Sequence, residues 1–144
     1  MNRRARCLAL TLVLGLAACG DGPAGPDDDV LLGQFGDADT PIQLLATHAG
    51  VTLDLGCGAF FISEQPARLD ADRNFSVEGG YRPGGFVVSG ELDATVSGTV
   101  ERVSMVDVVT ATLLIEGGGP LVDPLVVSLR RGQDYEGEPL PCPA

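Results

Sequence analysis

Few side chains in this sequence could do chemistry, and their surroundings decide which chemistry is open. His48 is the only histidine. It stands in Thr47-His48-Ala49-Gly50-Val51, between two apolar runs, where a hairpin loop is expected. To act as a general base it needs a nucleophile and an orienting acid within hydrogen-bond reach. No G-x-S-x-G, H-E-x-x-H or paired-carboxylate motif supplies them. Asp70-Ala71-Asp72-Arg73-Asn74 opens as an EF-hand loop opens. The glycine such a loop needs at its sixth position is Phe75, and the closing acid is missing, so the stretch reads as a hairpin turn whose Asp and Asn satisfy local backbone N–H groups. Gly117-Gly118-Gly119-Pro120 lacks the Lys-Ser/Thr of a phosphate loop. Asp27-Asp28-Asp29 has no fixed geometry to select a cation and reads as solvated linker. Asp54 and Asp107 are flanked by apolar residues; each either faces outward from an alternating strand or lines a cavity. No catalytic residue, metal site or cofactor is assigned from these features.

The elements that would have to position a site are strands. From Val30 onward Gly, Pro, Asp or Asn interrupts the chain about every 8–12 residues, and the runs between are rich in Val, Leu, Phe and Thr, the pattern of a β-sandwich or barrel. The candidate strands are Val30–Phe35, Ile42–Thr47, Val51–Leu55, Ala59–Ile62, Ala67–Leu69, Asn74–Gly79, Phe86–Leu92, Ala94–Val100, Ser104–Glu116 and Leu125–Arg130. Leu125, Val127 and Leu129 alternate with Val126, Ser128 and Arg130; Val96, Gly98 and Val100 alternate with Ser97 and Thr99; Phe75 and Val77 alternate with Ser76 and Glu78. Ser104–Glu116 is apolar on both faces and either runs centrally or bends at Asp107. Gly79-Gly80 and Gly84-Gly85 flank Tyr81-Arg82-Pro83 as an excursion between strands. The expectation is an all-β fold: one small antiparallel barrel or sandwich of about eight strands over 30–144, ordered largely by hairpins.

The charge balance narrows the partners. The chain has 9 Arg, no Lys and 20 acids, for a net charge of −11. Nucleic acid is excluded, since phosphate binding needs clustered cations, and docking on an anionic membrane by overall charge is disfavoured.

The start of the chain reads as an address. Arg3, Arg4 and Arg6 make a basic region, and Cys7–Ala18 is a 12-residue apolar run. As a helix that run spans about 18 Å, short of the ~30 Å hydrocarbon core, so an export signal is favoured over a transmembrane helix. Leu16-Ala17-Ala18-Cys19-Gly20 resembles the bacterial lipobox. The resemblance implies cleavage between Ala18 and Cys19, a diacylglycerol on the Cys19 sulfur and acylation of the new N-terminus. The alternative is an ordinary secretory signal cut after Ala18. Gly20 in place of Asp directly after the lipid-bearing Cys points, by the sorting scheme of diderm bacteria, to the outer membrane. The domain plan is then signal peptide 1–18, lipidated flexible Gly/Pro/Asp tether 19–29 and β-domain 30–144.

With Cys7 removed and Cys19 lipidated, Cys57 and Cys142 remain as an even pair in an oxidising compartment, and one disulfide is the economical reading. A redox or metal-binding pair is the rival, although C-x-x-C is absent and zinc would lack ligands. Phe35-Gly36, Val51–Cys57, Leu69-Asp70 with Phe75 and Val77, Ser97-Gly98 with Met105, and Leu129 with Gly132 and Cys142 resemble the pattern of a family of small, uncharacterised bacterial exported β-rich lipoproteins. The resemblance implies a Cys57–Cys142 bridge and no activity. It departs at the opening, where Phe35 and Asp37-Ala38-Asp39 stand in place of an expected Trp and nearby His.

These readings converge on a non-catalytic binding or structural β-domain held to a lipid bilayer through Cys19. A small apolar ligand could be held by Phe60, Phe61, Phe75, Phe86 and Met105. The alternatives are an accessory subunit meeting an envelope protein through an exposed β-edge, and a hydrolase using His48.

Overall fold

The computed structural model describes residues 29–85, 90–117, 123–139 and 141–142. The expected signal peptide, the expected lipidation and cleavage positions Ala18 and Cys19, nearly all of the expected tether, and Phe86 lie outside these residues. The fold is all-β, a closed barrel of eight antiparallel strands in which each strand pairs with its neighbours in sequence. The strands are β1 (Gly33–Gly36), β2 (Gln43–Thr47), β3 (Gly50–Asp54), β4 (Phe60–Ser63), β5 (Asn74–Arg82), β6 (Leu92–Val103), β7 (Val106–Ile115) and β8 (Leu125–Arg131). Their period-two pattern decides what faces inward. Phe35, Leu44, Leu53, Phe61, Val96, Val109, Ala111 and Leu129 have no exposed surface, and Val51, Val77, Val100 and Leu113 are nearly as buried. The outer rows carry Thr95, Ser97, Thr99, Thr110, Thr112 and Ser128. Apolar side chains fill the interior, where a membrane-spanning barrel is polar, and the outer rows mix these polar residues with the exposed Leu45, Ile62, Leu114 and Val126.

Two inward-row glycines make room for two rings. Gly98 pairs with Phe75, and a Cβ on Gly98 would lie 2.9 Å from that ring. A Cβ on Gly79 would collide with the Ile62 carbonyl and lie 2.8 Å from the Phe61 ring. Small residues opposite large ones are how a narrow barrel fills its interior. Gly79, Gly80, Tyr81 and Arg82 therefore belong to β5, correcting the expectation of an excursion there.

Other boundaries also shift. Val30–Phe35 shortens to β1, and Ala67–Leu69 is no strand of the barrel. It forms a small ribbon with the incoming chain: Val30 bridges Arg68, Leu31 N–H donates to the Ala67 carbonyl at 2.8 Å, and Leu69 N–H donates to the Asp29 carbonyl at 2.6 Å. Leu31 and Ala67 are buried and close the barrel at that rim, called here the lower rim. The direction of the strands also places the β2–β3, β4–β5 and β6–β7 connections and the end of β8 at the lower rim, and the β3–β4, β5–β6 and β7–β8 connections at the upper rim; the stagger at the seam sets Gly36 level with Arg130, so the β1–β2 connection lies beside Val103 and Val108 near the β6–β7 turn. Ser104 and Met105 belong to a turn, and β7 runs on through Asp107 without a bend.

Closure rests on a short seam. β1 and β8 pair at Phe35↔Arg131 and Gly36↔Arg130, while β8 from Leu125 to Leu129 has no strand beside it on that side among the described residues. Past β8 the chain reverses at Gly132, where φ is +68°, and returns toward the upper rim, with Glu136 N–H donating to the Ala38 carbonyl at 3.2 Å. The last described residue, Cys142, forms a disulfide with Cys57, with Cα atoms 5.2 Å apart.

Candidate functional site

Polar side chains converge most closely at the lower rim. Asp107 opens the inward-facing row of β7 below Val109, and its side chain is only 14% exposed. Arg131, on the inward row of β8, donates Nε and Nη2 to Asp107 Oδ2 at 3.2 and 3.0 Å, and Nη1 to the Leu32 carbonyl at 2.6 Å. Its guanidinium lies 4.8 Å from the centre of the Phe35 ring, within cation–π range. Gly33 makes this possible, because a Cβ there would collide with Arg131 Nη1. Arg102, opposite Asp107 across the β6–β7 ladder, places Nε 3.6 Å from Asp107 Oδ1. Arg73 places Nη2 3.9 Å from the same oxygen and donates Nε to the Val100 carbonyl at 3.2 Å. Three guanidiniums thus gather on one carboxylate. Asp107 therefore takes the inward of its two expected placements, as an ion-paired rim group.

The turn beside this cluster is the D-x-D-x-N stretch. Asp70 Oδ1 accepts from the backbone N–H of Asp72 and Asn74 at 2.9 and 2.8 Å, and Oδ2 accepts from the Asn74 side-chain amide at 3.3 Å. The Asn74 backbone donor holds the Asp70 carboxyl below its ordinary range, helped by the Asn74 amide and the Asp72 N–H and opposed by partial desolvation. The acid is occupied as a turn former, as its sequence suggests.

The other expected site residues are dispersed. His48 is exposed at the tip of the β2–β3 hairpin, and Asp54 is exposed at the end of β3, accepting from Gly56 N–H at 2.8 Å. Phe61 and Phe75 are in the core; Phe60 faces outward, half-buried, with Arg82 stacked at 5.6 Å; Met105 is 88% exposed. The set of proposed ligand liners therefore does not share one space, because Phe60 sits on the opposite strand face from Phe61 and Met105 sits on a turn. Tyr81 lies on the interior row at the upper rim, and desolvation raises its phenol above the ordinary value.

Three clefts open on the outer surface among the described residues. One, of about 630 Å³, lies over Gly79 and Gly80 and is edged by Glu64, Glu78, Glu91, Asp93 and Glu116. One of about 550 Å³ lies beside the disulfide, between Pro41, Ile42, Leu55, Tyr135 and Pro139. The third, about 440 Å³, lies between Asp37, Asp39, Val103, Val108 and Arg130. No family model matches the chain, and no curated protein and no solved structure is significantly similar to it.

Sequence reasoning missed the arginine cluster. Arg73, Arg102 and Arg131 are scattered along the chain, and only the closure of β8 onto β1 brings Arg131 over Phe35 and beside Asp107. The one available signal was the period-two row of Leu125, Val127 and Leu129, which extends to Arg131.

Proposed function

We propose that the chain is a lipid-anchored protein of the bacterial cell envelope whose barrel is a non-catalytic binding or structural domain. The observation that carries this reading is Leu16-Ala17-Ala18-Cys19 at the end of the 12-residue apolar run, behind Arg3, Arg4 and Arg6. The Cys57–Cys142 disulfide supports it, because such bonds persist in oxidising compartments. So does the barrel's start at Asp29–Val30, right after the Gly/Pro/Asp stretch. The resemblance to small exported β-rich lipoproteins points the same way, and Gly20 favours the outer membrane over the inner.

A second reading is an accessory subunit. It is favoured by the β8 edge from Leu125 to Leu129, which has no strand partner on the β1 side among the described residues and presents an exposed Val126. An extended segment of an envelope protein could add there as a strand. A small apolar ligand finds its best match in the cleft beside the disulfide.

The test is expression in a bacterium with Cys19→Ala as the comparison. The intact mass of the mature protein should include a diacylglycerol on Cys19, and the variant should leave the membrane fraction. A mature protein that keeps residues 1–18, or whose Cys57 and Cys142 are free thiols, overturns the reading.

A further inference from the structure

We infer that the cleft beside the disulfide is a redox-gated site for an uncharged apolar small molecule, with the Cys57–Cys142 bond holding one of its walls in place. This rests on the apolar-ligand reading given above and adds what selects that ligand and what releases it.

The lining decides the chemistry of the ligand. Pro41, Ile42 and Leu55 stand on one side and Tyr135 and Pro139 on the other, around about 550 Å³. That volume suits a small organic molecule. Ile42 and Leu55 also pack against the core, so the floor is continuous with the barrel interior. No lining residue carries a charge. The hydroxyl donors are already committed within the protein: Thr40 Oγ1 donates to Asp37 Oδ2 at 3.1 Å, and Tyr135 Oη donates to the Glu138 carbonyl at 2.7 Å. Gly56 N–H is given to Asp54 Oδ1 at 2.8 Å, and the two sulfurs are joined to each other, with no S–H to offer. A charged or strongly polar ligand would leave its hydrogen bonds to water and gain few in return, so apolar contact and shape select the occupant.

The two walls are held very differently. Cys57 belongs to the β3–β4 connection, which closes on itself: Leu55 N–H donates to the Ala59 carbonyl at 2.9 Å, and Ala59 N–H donates to the Gly56 carbonyl at 3.0 Å. Gly84 packs against this loop so closely that a Cβ there would collide with the Cys57 carbonyl. Gly56, Cys57 and Gly58 have φ of +78°, +54° and +77°. Such a conformation costs an L residue and leaves glycine unstrained, and the chain accepts that cost at the one residue of the three that carries a sulfur. The opposite wall has no regular structure. Gly132, Asp134 and Glu136 hydrogen-bond the start of the tail to Gln34 and Ala38. Beyond them, the covalent tie between Cys142 and the β3–β4 connection is what keeps Pro139 opposite Leu55.

Both cysteines are exposed, so a dithiol in solution reaches the bond. One thiolate of the reagent attacks one bridge sulfur and displaces the other as a thiolate, giving a mixed disulfide. The second thiol of the reagent then displaces the first sulfur. The bridge gains two electrons and becomes two cysteine thiols after protonation, and the reagent becomes a cyclic disulfide; exposed bridges are the ones most readily cut in this way. The β3–β4 connection keeps its own hydrogen bonds after the cut, whereas Pro139 and Cys142 are free to leave it. The cleft then lacks a wall, and a ligand held by apolar contact dissociates. Reoxidation rebuilds the site.

The test is titration of the full protein with N-phenyl-1-naphthylamine, an uncharged probe that brightens in apolar surroundings, before and after dithiothreitol, with thiols counted by alkylation and mass. The oxidised protein should bind one equivalent, and reduction should weaken binding by at least about tenfold, with recovery on reoxidation. Pro139→Asp changes an exposed tail residue and should weaken binding in the oxidised protein by setting a charge in the cleft. Cys57→Ser with Cys142→Ser should bind like the reduced parent and ignore dithiothreitol. Amide exchange in β6 and β7 should stay slow on reduction; if it becomes fast, the barrel rather than the wall has given way and the gate is refuted. If the oxidised protein does not bind the probe, or Pro139→Asp binds it as the parent does, the apolar-ligand reading falls and the gate with it. If Pro139→Asp weakens binding while reduction does not, or if the bridge of the folded protein survives dithiothreitol, the ligand reading stands and the gate alone is refuted.

Discussion

Removing the disulfide by Cys57→Ser with Cys142→Ser offers a measurement whose size can be worked out from the fold. The bond closes a loop of 85 residues. In the chain-entropy model this restriction of the unfolded chain stabilises the native state by about 4.5 kcal/mol, provided the tail stays docked without the bond. Among the described residues the tail is also held by Gly132 N–H to the Gln34 carbonyl at 2.8 Å, Gln34 Nε2 to Asp134 Oδ1 at 3.2 Å and Glu136 N–H to the Ala38 carbonyl at 3.2 Å. If the tail frays from Gly132 onward, the unbridged native state regains the freedom of a loop of about ten residues, and the net loss falls to about 2 kcal/mol by the logarithmic scaling of loop closure. Urea unfolding of the variant against the oxidised parent should therefore show a loss between about 2 and 4.5 kcal/mol, or roughly 1.5–3 M in midpoint at a slope near 1.5 kcal/mol per M. Hydrogen exchange at the Glu136 amide tells which end of that range applies. A loss below about 1 kcal/mol, with the parent's bridge verified by mass, would refute the argument that the bond acts through the unfolded chain.

Gly79→Ala should lower stability by about 1–3 kcal/mol in thermal melts, since its Cβ would meet the Ile62 carbonyl and the Phe61 ring; an unchanged Tm would mean that β4 and β5 can separate without penalty. Ser104→Asn with Met105→Gly should stabilise the protein by about 1–2 kcal/mol in thermal melts by relieving two positive-φ residues, and an unchanged Tm would mean that the turn carries no strain. Asp70→Asn should flatten the fall in stability on acidification. The folded-state carboxyl titrates below its unfolded value, so its contribution is fully present above the ordinary Asp range and is lost as pH falls through the lowered value. Urea midpoints across that acidic range test this, and parallel curves for parent and variant would count against it.

The meander was legible because its local rules agree with one another. Leu125–Arg130, Ala94–Val100 and Asn74–Gly79 each alternate cleanly, and each lies in a strand of the barrel. What local pattern could not show was pairing geometry. Gly79-Gly80 looks like a breaker when read along the chain; across the sheet it is the gap that lets β4 and the Phe61 ring come close. Ala67–Leu69 has the composition of a strand, yet its partner is the three-residue run Asp29–Leu31, and the pairing stops there. Asp107 was ambiguous because an ionised carboxylate on an inward row is costly unless paired, and its partners come from Arg73, Arg102 and Arg131, set in place only when the barrel closes.

The order of synthesis gives the β1–β8 seam a further meaning. Every other pairing joins consecutive strands and can form as soon as the second of the two exists. β1 must wait for β8, and Cys57 must wait for Cys142, so until those residues have been made the growing sheet is an open ribbon with a bare margin on each side. That the waiting margin is only four residues long, and begins and ends in glycine, gives neighbouring unfinished chains little to grip.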